Sequence, residues 1–276
     1  MKPSEQTRAL SAAVKAARAA GRLMRQNLRS PKKINLATQH DIKLELDVRC
    51  QKRIAKILHA AFPAVSLLGE EGVSGDMNAP SRWVVDPIDG TVNFTYGIPH
   101  ACVSIALQVQ KFEVPSSKCQ VGGHAAEGAD YETLIGVVYD PFTDELWTAI
   151  RGRPARLNGR IIRVSERRKL NAAIVGLGFA KCGETLARML PVFNRLVHRV
   201  RKIRILGAAA LSMTYVATGR LDAYREYGLR LWDIAAGGLI IECAGGEFWR
   251  RPVEGEHAYE ILANNGRLRK QIEACD

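Results

Sequence analysis

Paired cysteines are missing from this sequence. Its six cysteines, Cys50, Cys102, Cys119, Cys182, Cys243 and Cys275, are scattered, with no C-x-x-C pair and no histidine at zinc-ligand spacing. That pattern argues against a disulfide framework or a structural zinc module and fits free thiols in a reduced compartment. Cys102 and Cys243 fall in apolar segments and are expected as plain core residues. Long apolar runs are missing too. The longest near the C-terminal end, Ile234 to Ile241, is far short of the roughly 20 residues of a membrane span. Met1 to Ser30 has the pattern of a basic amphipathic helix, without the apolar centre of about 7–15 residues that a secretory leader needs. A soluble, cytoplasmic protein without membrane contact is the expectation.

Acidic residues are also scarce, with 28 Asp and Glu against 40 Lys and Arg, for a net charge of +12. The imbalance is local. Between Arg151 and Arg204, 15 basic residues meet two acids, Glu166 and Glu184, so this stretch carries +13 and the rest is near neutral. Such a segment attracts anionic substrates, nucleic acid or an acidic protein surface, or is simply a solvated face. Phe179 and Phe193 are its only aromatic residues, few for a base-stacking platform.

What is present reads as mixed secondary structure. Leu10, Val14, Ala17, Leu23, Met24 and Leu28 recur at helical spacing over residues 5–28, and a second helix is predicted over Asp47–Ala61, ended by Pro63. Strands are predicted at Trp83–Asp86, Val103–Val109, Leu134–Tyr139 and Glu145–Ile150, and Asn158-Gly159 marks a hairpin turn. The second half alternates: strand Ala172–Leu177, helix Glu184–Val200, strand Ile203–Leu206, helix Ala208–Thr218, strand Leu221–Glu226, helix Trp232–Cys243, strand Tyr259–Ala263. This predicts a layered α/β architecture. The expected unit is a single domain over 1–276, with an α+β half to about residue 165 and an α/β half from about 166. Lys111–Asp130, rich in Ser, Gly and Ala, resembles a surface insertion.

The chemistry concentrates in Trp83-Val84-Val85-Asp86-Pro87-Ile88-Asp89-Gly90-Thr91. An apolar strand is expected to stop at Asp86, because Pro87 cannot donate to a ladder. Asp89 follows three residues on. Two aspartates so close at a strand mouth repel one another unless a cation lies between them. Hard oxygen ligands select Mg²⁺ over zinc. Gly90-Thr91, entering a helical turn, can present backbone N–H groups to a phosphate. Glu70-Glu71, ending the apolar run Val65–Gly69, is either a solvated turn or a metal ligand and water-activating base. Asp233 suits the first turn of a helix, as a cap or as a ligand. Glu226, seven residues before it, can face the same cleft.

Gly69-Glu70-Glu71, the Trp83–Phe94 string and Trp232-Asp233-Ile234-Ala235-Ala236-Gly237 together resemble the inositol monophosphatase family. Gly207-Ala208-Ala209-Ala210, Asp222-Ala223-Tyr224 and Ala263-Asn264-Asn265 also look like its pattern, so the similarity runs from about Asp41 to Asn265. The resemblance implies a five-layer αβαβα sandwich, lithium-sensitive hydrolysis dependent on two or three Mg²⁺ ions, and a homodimer. It implies that Glu70, Asp86 and the Ile88 carbonyl hold one metal and that Asp86, Asp89 and Asp233 hold a second. Glu70 and Thr91 would position water, and the Gly90 and Thr91 N–H groups would cradle the phosphate. Gly207, Ala208 and Ala209 would line the substrate pocket, and Glu226 would accept a substrate hydroxyl. The chain departs from the pattern before Asp41, where Leu36 replaces an expected lysine, and at Lys43-Leu44; His40 lies in the same loop.

The substrate expected is inositol monophosphate or a similar polyol phosphate. Fructose-1,6-bisphosphate, histidinol phosphate and a 3′-phosphoadenosine nucleotide share the motif, although Glu226 with Tyr227-Gly228 favours the inositol branch. A regulatory protein contacting transcription machinery or RNA through Arg151–Arg204 is the reading from another class. A catalytically weakened homologue is opposed by the full set Glu70, Asp86, Asp89, Thr91 and Asp233.

Overall fold

A computed structural model describes residues 1–37, 42–111, 131–179 and 183–275, the side chains of residues 35–37, 42 and 43 excepted. Helices α1 (Pro3–Asn27) and α2 (Glu45–Ala61) flank an antiparallel pair, β1 (Ile34–Ala37) and β2 (Ile42–Leu44). Then follow β3 (Ser66–Gly69), β4 (Gly72–Ser74), β5 (Ser81–Asp89), the short helix α3 (Thr91–Thr95), β6 (Cys102–Gln110), β7 (Tyr131–Asp140), β8 (Glu145–Ile150), β9 (Arg156–Leu157) and β10 (Arg160–Ile161). The second half holds β11 (Ile174–Leu177), α4 (Gly183–Val197), β12 (Lys202–Arg204), α5 (Ala209–Ala217) and β13 (Ala223–Arg230). It closes with α6 (Leu231–Cys243), β14 (Glu247–Pro252), β15 (Ala258–Asn264) and α7 (Arg269–Glu273).

Strands β3 to β10 form one sheet in the order β10-β9-β8-β7-β6-β5-β3-β4, parallel only between β3 and β5. The second sheet runs β12-β11-β13-β15-β14. Helix α1 buries an alanine stripe, Ala9, Ala13, Ala16, Ala17 and Ala20, and joins α2 over one face of the large sheet. Small side chains let the helices approach one another and the sheet closely. Helices α5 and α6, apolar on nearly all sides, fill the space between the sheets against Trp147, Val138, Tyr224 and Ile261. Helices α4 and α7 cover the outer face of the small sheet through Met189, Val192, Leu196 and Ile272. The five layers are therefore αβαβα, as the resemblance implied. Burying each large apolar side chain contributes about 1.5–3 kcal/mol, and Trp83 and Trp147 are wholly buried.

Several boundaries differ from the sequence reading. Strand β5 does not stop at Asp86 but continues through Pro87 to Asp89. Asp86 pairs with Ser104 and Asp89 with Cys102, three residues against two, so Pro87 falls within a bulge. The strand expected at Leu221–Glu226 runs from Ala223 to Arg230, and that at Ile203–Leu206 is Lys202–Arg204. Helix α4 ends at Val197 rather than Val200. The edge strand β14 was not anticipated. Apart from Lys111, the proposed insertion Lys111–Asp130 lies outside the described residues, as do His40, Asp41, Cys119 and Cys182. Among the described residues no helix is long and apolar enough to cross a membrane.

Candidate active site

The C-terminal end of β5, the turn after β3, and the starts of α5 and α6 meet at one cleft of about 450 Å³. Each contributes a carboxylate or the backbone that holds one. Glu70 follows β3 directly, and its N–H donates to the Val85 carbonyl at 3.1 Å, extending the parallel pairing into the turn. Gln51 of α2 clamps that turn, accepting from Glu71 N–H at 3.0 Å and donating to the Gly72 carbonyl at 3.0 Å.

The bulge in β5 turns both aspartates toward the cleft. Asp86 Oδ1 accepts the Ile88 N–H at 2.9 Å, and the Thr91 hydroxyl donates to the Ile88 carbonyl at 2.8 Å. Asp89 reaches across to α5, accepting the N–H groups of Ala209 at 3.0 Å and Ala210 at 2.9 Å. Gly90 then takes a left-handed conformation, φ 88°, to open α3 at the cleft wall. Asp233, in the first turn of α6, accepts the Arg230 N–H at 2.7 Å. The capping role and the cleft position thus coexist in one side chain. Glu226 and Tyr224 project from the same face of β13, and the Tyr224 hydroxyl donates to the Glu226 carboxylate.

The cleft brings together Glu70, Asp86, Ile88, Asp89, Gly90, Thr91, Gly207, Ala208, Ala209, Glu226 and Asp233. These are all the residues to which the resemblance assigns a site role; Glu71, the second acid of its pair, does not line the cleft. Sequence reasoning missed Asn93, Gly178, Phe179 and Tyr224, which also line it. Asn93 ties α3 to the segment before α5, donating to the Leu206 carbonyl at 2.8 Å and that of His100 at 3.0 Å. A Cβ on Gly178 would overlap the Glu226 carboxylate. The alternation of Tyr224 with Glu226 was a usable signal; nothing local marked Gly178. Cys102, expected as a plain core thiol, is buried but also donates to Asp89 at 3.4 Å.

No lysine or arginine among the described residues lines the cleft, against five carboxylates. Burial raises the Asp86 carboxyl well above the usual range, and Glu70, Asp89 and Asp233 push it further. Asp233 rises through burial and the charges of Glu70 and Asp89. Asp89 is pushed up to about 6 by burial, although Ala209, Cys102 and Ala210 stabilise its ionised form. Glu226 reaches about 7, raised by burial and by Asp89, with the Tyr224 hydroxyl opposing. The described lining thus concentrates carboxylates whose ionised forms burial and mutual repulsion disfavour. An all-oxygen donor set of this kind fits a hard divalent cation. Among the described residues no three acidic, thiol or imidazole side chains stand converged on one ion position. The carboxylates line the cleft without forming a closed cage, so enclosing an ion takes side-chain movement.

The model of the inositol monophosphatase family matches residues 5–117 and 127–272. The chain belongs to that family. Among its relatives, the Nus factor SuhB of Pseudomonas aeruginosa is 39% identical over 246 residues, covering 86% of this chain and 83% of the relative. Inositol monophosphatase 1 of Solanum lycopersicum is 35% identical over 244 residues, with 86% and 82% covered. The crystal structure of the extragenic suppressor protein suhB from Bartonella henselae superimposes with a TM-score of 0.82 at 32% identity, covering 96% of each chain. Inositol monophosphatase family membership agrees with the five-layer fold and with the sequence resemblance.

Proposed function

We propose that this chain is a Mg²⁺-dependent phosphatase that hydrolyses a small phosphate monoester, with inositol monophosphate or a related polyol or sugar phosphate as substrate. The observation that carries the proposal is the convergence of five carboxylates on one cleft, in a member of the inositol monophosphatase family. Glu70, Asp86 and the Ile88 carbonyl would hold one ion, and Asp86, Asp89 and Asp233 a second. Bound Mg²⁺ supplies charge neutralisation at the phosphate and lowers the pKa of water.

The chain's own groups do the rest. Glu70 and the Thr91 hydroxyl orient the attacking water, and the Glu70 carboxylate takes its proton as the new P–O bond forms. The bond from phosphorus to the alcohol oxygen breaks, the leaving oxygen takes a proton from solvent, Glu70 returns its own to solvent, and inorganic phosphate and the free alcohol result. The Gly90 and Thr91 N–H groups, opening α3, hold phosphate oxygens. Gly207, Ala208 and Ala209 shape the wall, and Glu226 accepts a substrate hydroxyl while Tyr224 holds it in place. Phosphoryl transfer needs chiefly positioning and charge stabilisation, so no side-chain nucleophile is required.

A panel of inositol, fructose, histidinol and 3′-phosphoadenosine phosphates, with phosphate release read by malachite green with and without Mg²⁺, tests this reading. No turnover of any of them at millimolar Mg²⁺ sinks it. Lithium should inhibit, the chain should migrate as a homodimer, and it should act in the cytoplasm.

A second reading is a regulatory role on transcription machinery or RNA. It is favoured by the exposed basic residues Arg153, Arg156, Arg160, Arg163, Arg167 and Arg168, and by relatives named as Nus factors. Filter binding to RNA over a salt series tests it, because phosphate contacts give a steep salt dependence. The two roles are compatible.

A further inference from the structure

On the outer face of the small sheet, away from the carboxylate cleft, α4 and the strands β13, β14 and β15 enclose a second cavity of about 460 Å³. Its chemistry is the opposite of the cleft's. Four arginines line it, Arg188 and Arg195 from α4, Arg225 from β13 and Arg251 from β14. Two glutamates accompany them, Glu260 and Glu273.

The floor is a built charge cluster. Arg225 and Glu260 have side chains only 8% exposed, and an Arg225 Nη donates to Glu260 at 2.8 Å. Arg251, opposite Glu260 across the β14–β15 ladder, donates to its other oxygen at 2.6 Å. One carboxylate thus serves two guanidiniums. Glu273 is engaged by Arg269, outside the cavity, at 2.7 Å. Setting both glutamates against the four arginines leaves two positive charges in surplus on the lining. Arg188 and Arg195 stand exposed at the rim, with the Arg195 Nε on the Cys275 carbonyl at 2.8 Å.

Only the Arg225–Glu260 pair is buried; Arg251, 59% exposed, stands with Arg188 and Arg195 around the opening, where an anion can reach them. Guanidinium forks match the oxygens of phosphate in geometry as well as charge. The cavity has the size of a small-molecule site. Its position is also distinctive, because successive residues of a strand face opposite ways. Tyr224 and Glu226 face the carboxylate cleft, while Arg225 between them faces the arginine cavity. Strand β13 therefore separates two pockets of opposite sign.

We propose that the arginine cavity is a second, non-catalytic site for a small phosphate-bearing dianion. The test is isothermal titration of the full chain with inorganic phosphate, in EDTA and in Mg²⁺. In EDTA the carboxylate cleft repels phosphate, so the arginine cavity accounts for a single saturable site. That site should weaken at least tenfold in R188A/R195A, which changes only exposed side chains, and separately in R251Q. R153A/R163A, removing two arginines elsewhere in the basic stretch, should titrate like the parent chain. Absence of saturable binding in EDTA overturns the proposal, as does unchanged binding in both cavity variants. Equal weakening in R153A/R163A overturns it too, since the effect would then trace to net charge.

Discussion

Asp89 accepts the backbone N–H of Ala209 at 3.0 Å, bonding the last residue of a large-sheet strand to the first residue of the helix between the sheets. Its other oxygen takes the Ala210 N–H at 2.9 Å. One carboxylate therefore caps α5, where the helix dipole favours negative charge, and contributes to the acidic cleft. The wall formed by Gly207, Ala208 and Ala209 is fixed relative to the carboxylates by the same bonds. Fold and site share their contacts here, so a substitution at Asp89 cannot separate stability from activity.

Asp86 permits that separation. Its Oδ1 accepts the Ile88 N–H, a bond that an asparagine oxygen preserves. Burial and three neighbouring carboxylates disfavour its ionised form. Asp86→Asn should therefore raise the melting temperature of the metal-free chain at pH 8, by a few degrees for each 1 kcal/mol gained. It should also lower turnover by about 10²–10³-fold, the scale of losing one preorganised electrostatic group. Calorimetry and phosphate-release assays on the same preparation check both. A melting temperature that falls alongside activity would make Asp86 a structural residue.

The acidic cleft also sets a pH dependence. Asp and Glu titrate near 3.9 and 4.3 in an unfolded chain. In the fold Asp89 sits at about 6 and Glu226 at about 7. Between those limits the folded chain binds more protons than the unfolded one, so stability falls as pH rises. This contribution is fully present below about pH 4 and lost above about pH 7. For Glu226 alone the difference is on the order of 3 kcal/mol. Metal-free protein should melt lower at pH 8 than at pH 5.5, and millimolar Mg²⁺ should restore more stability at pH 8 than at pH 5.5. Differential scanning fluorimetry across that range, with EDTA or Mg²⁺, reads both effects.

The acidic cluster was legible because its members occupy short motifs whose chemistry is unusual for a turn. Glu70, the Asp86–Thr91 string and Asp233 needed only the fold to meet. The helices α1 and α2 were legible from apolar spacing alone. Pro87 misled, because a ladder break is the ordinary meaning of proline, and only the partner strand reveals a bulge. Strand β14 was hidden because an edge strand with Arg250 and Arg251 exposed lacks the buried alternation that marks a strand. Gly178 was hidden for a different reason. Its role arises where β11 runs beside β13, a contact between residues 48 positions apart (178 and 226) that no local pattern encodes.

Gly90 tests the turn that opens α3. Its φ of 88° strains any residue with a Cβ, and that Cβ would lie 3.0 Å from the His100 carbonyl oxygen and 3.1 Å from Ala208 Cβ. Gly90→Ala should cost about 1–3 kcal/mol and weaken substrate binding by moving the Ala208 wall. Gly97→Ala is the matched control. Gly97 also has a positive φ, 74°, but nothing stands within 4 Å of the added atom. It should lose stability through backbone strain alone and keep the parent KM. Chemical denaturation and steady-state kinetics on the pair distinguish strain from crowding.

Under the proposed function, Glu226 should bear on which alcohol carries the phosphate. Its carboxylate is held by the Tyr224 hydroxyl and backed by Gly178, so its position is constrained from two sides. A carboxylate with a pKa of about 7 accepts a hydroxyl hydrogen bond best when ionised, at alkaline pH. Glu226→Gln keeps the shape but loses the charge that strengthens such a bond by about 1–2 kcal/mol. KM for a polyol phosphate should therefore rise about tenfold with little change in kcat, and most at pH 8, where the parent residue is charged. A monoester without a neighbouring hydroxyl, such as phenyl phosphate, should be hydrolysed with unchanged KM. Equal effects on both substrates would remove Glu226 from substrate recognition and leave it as a buried partner of Tyr224.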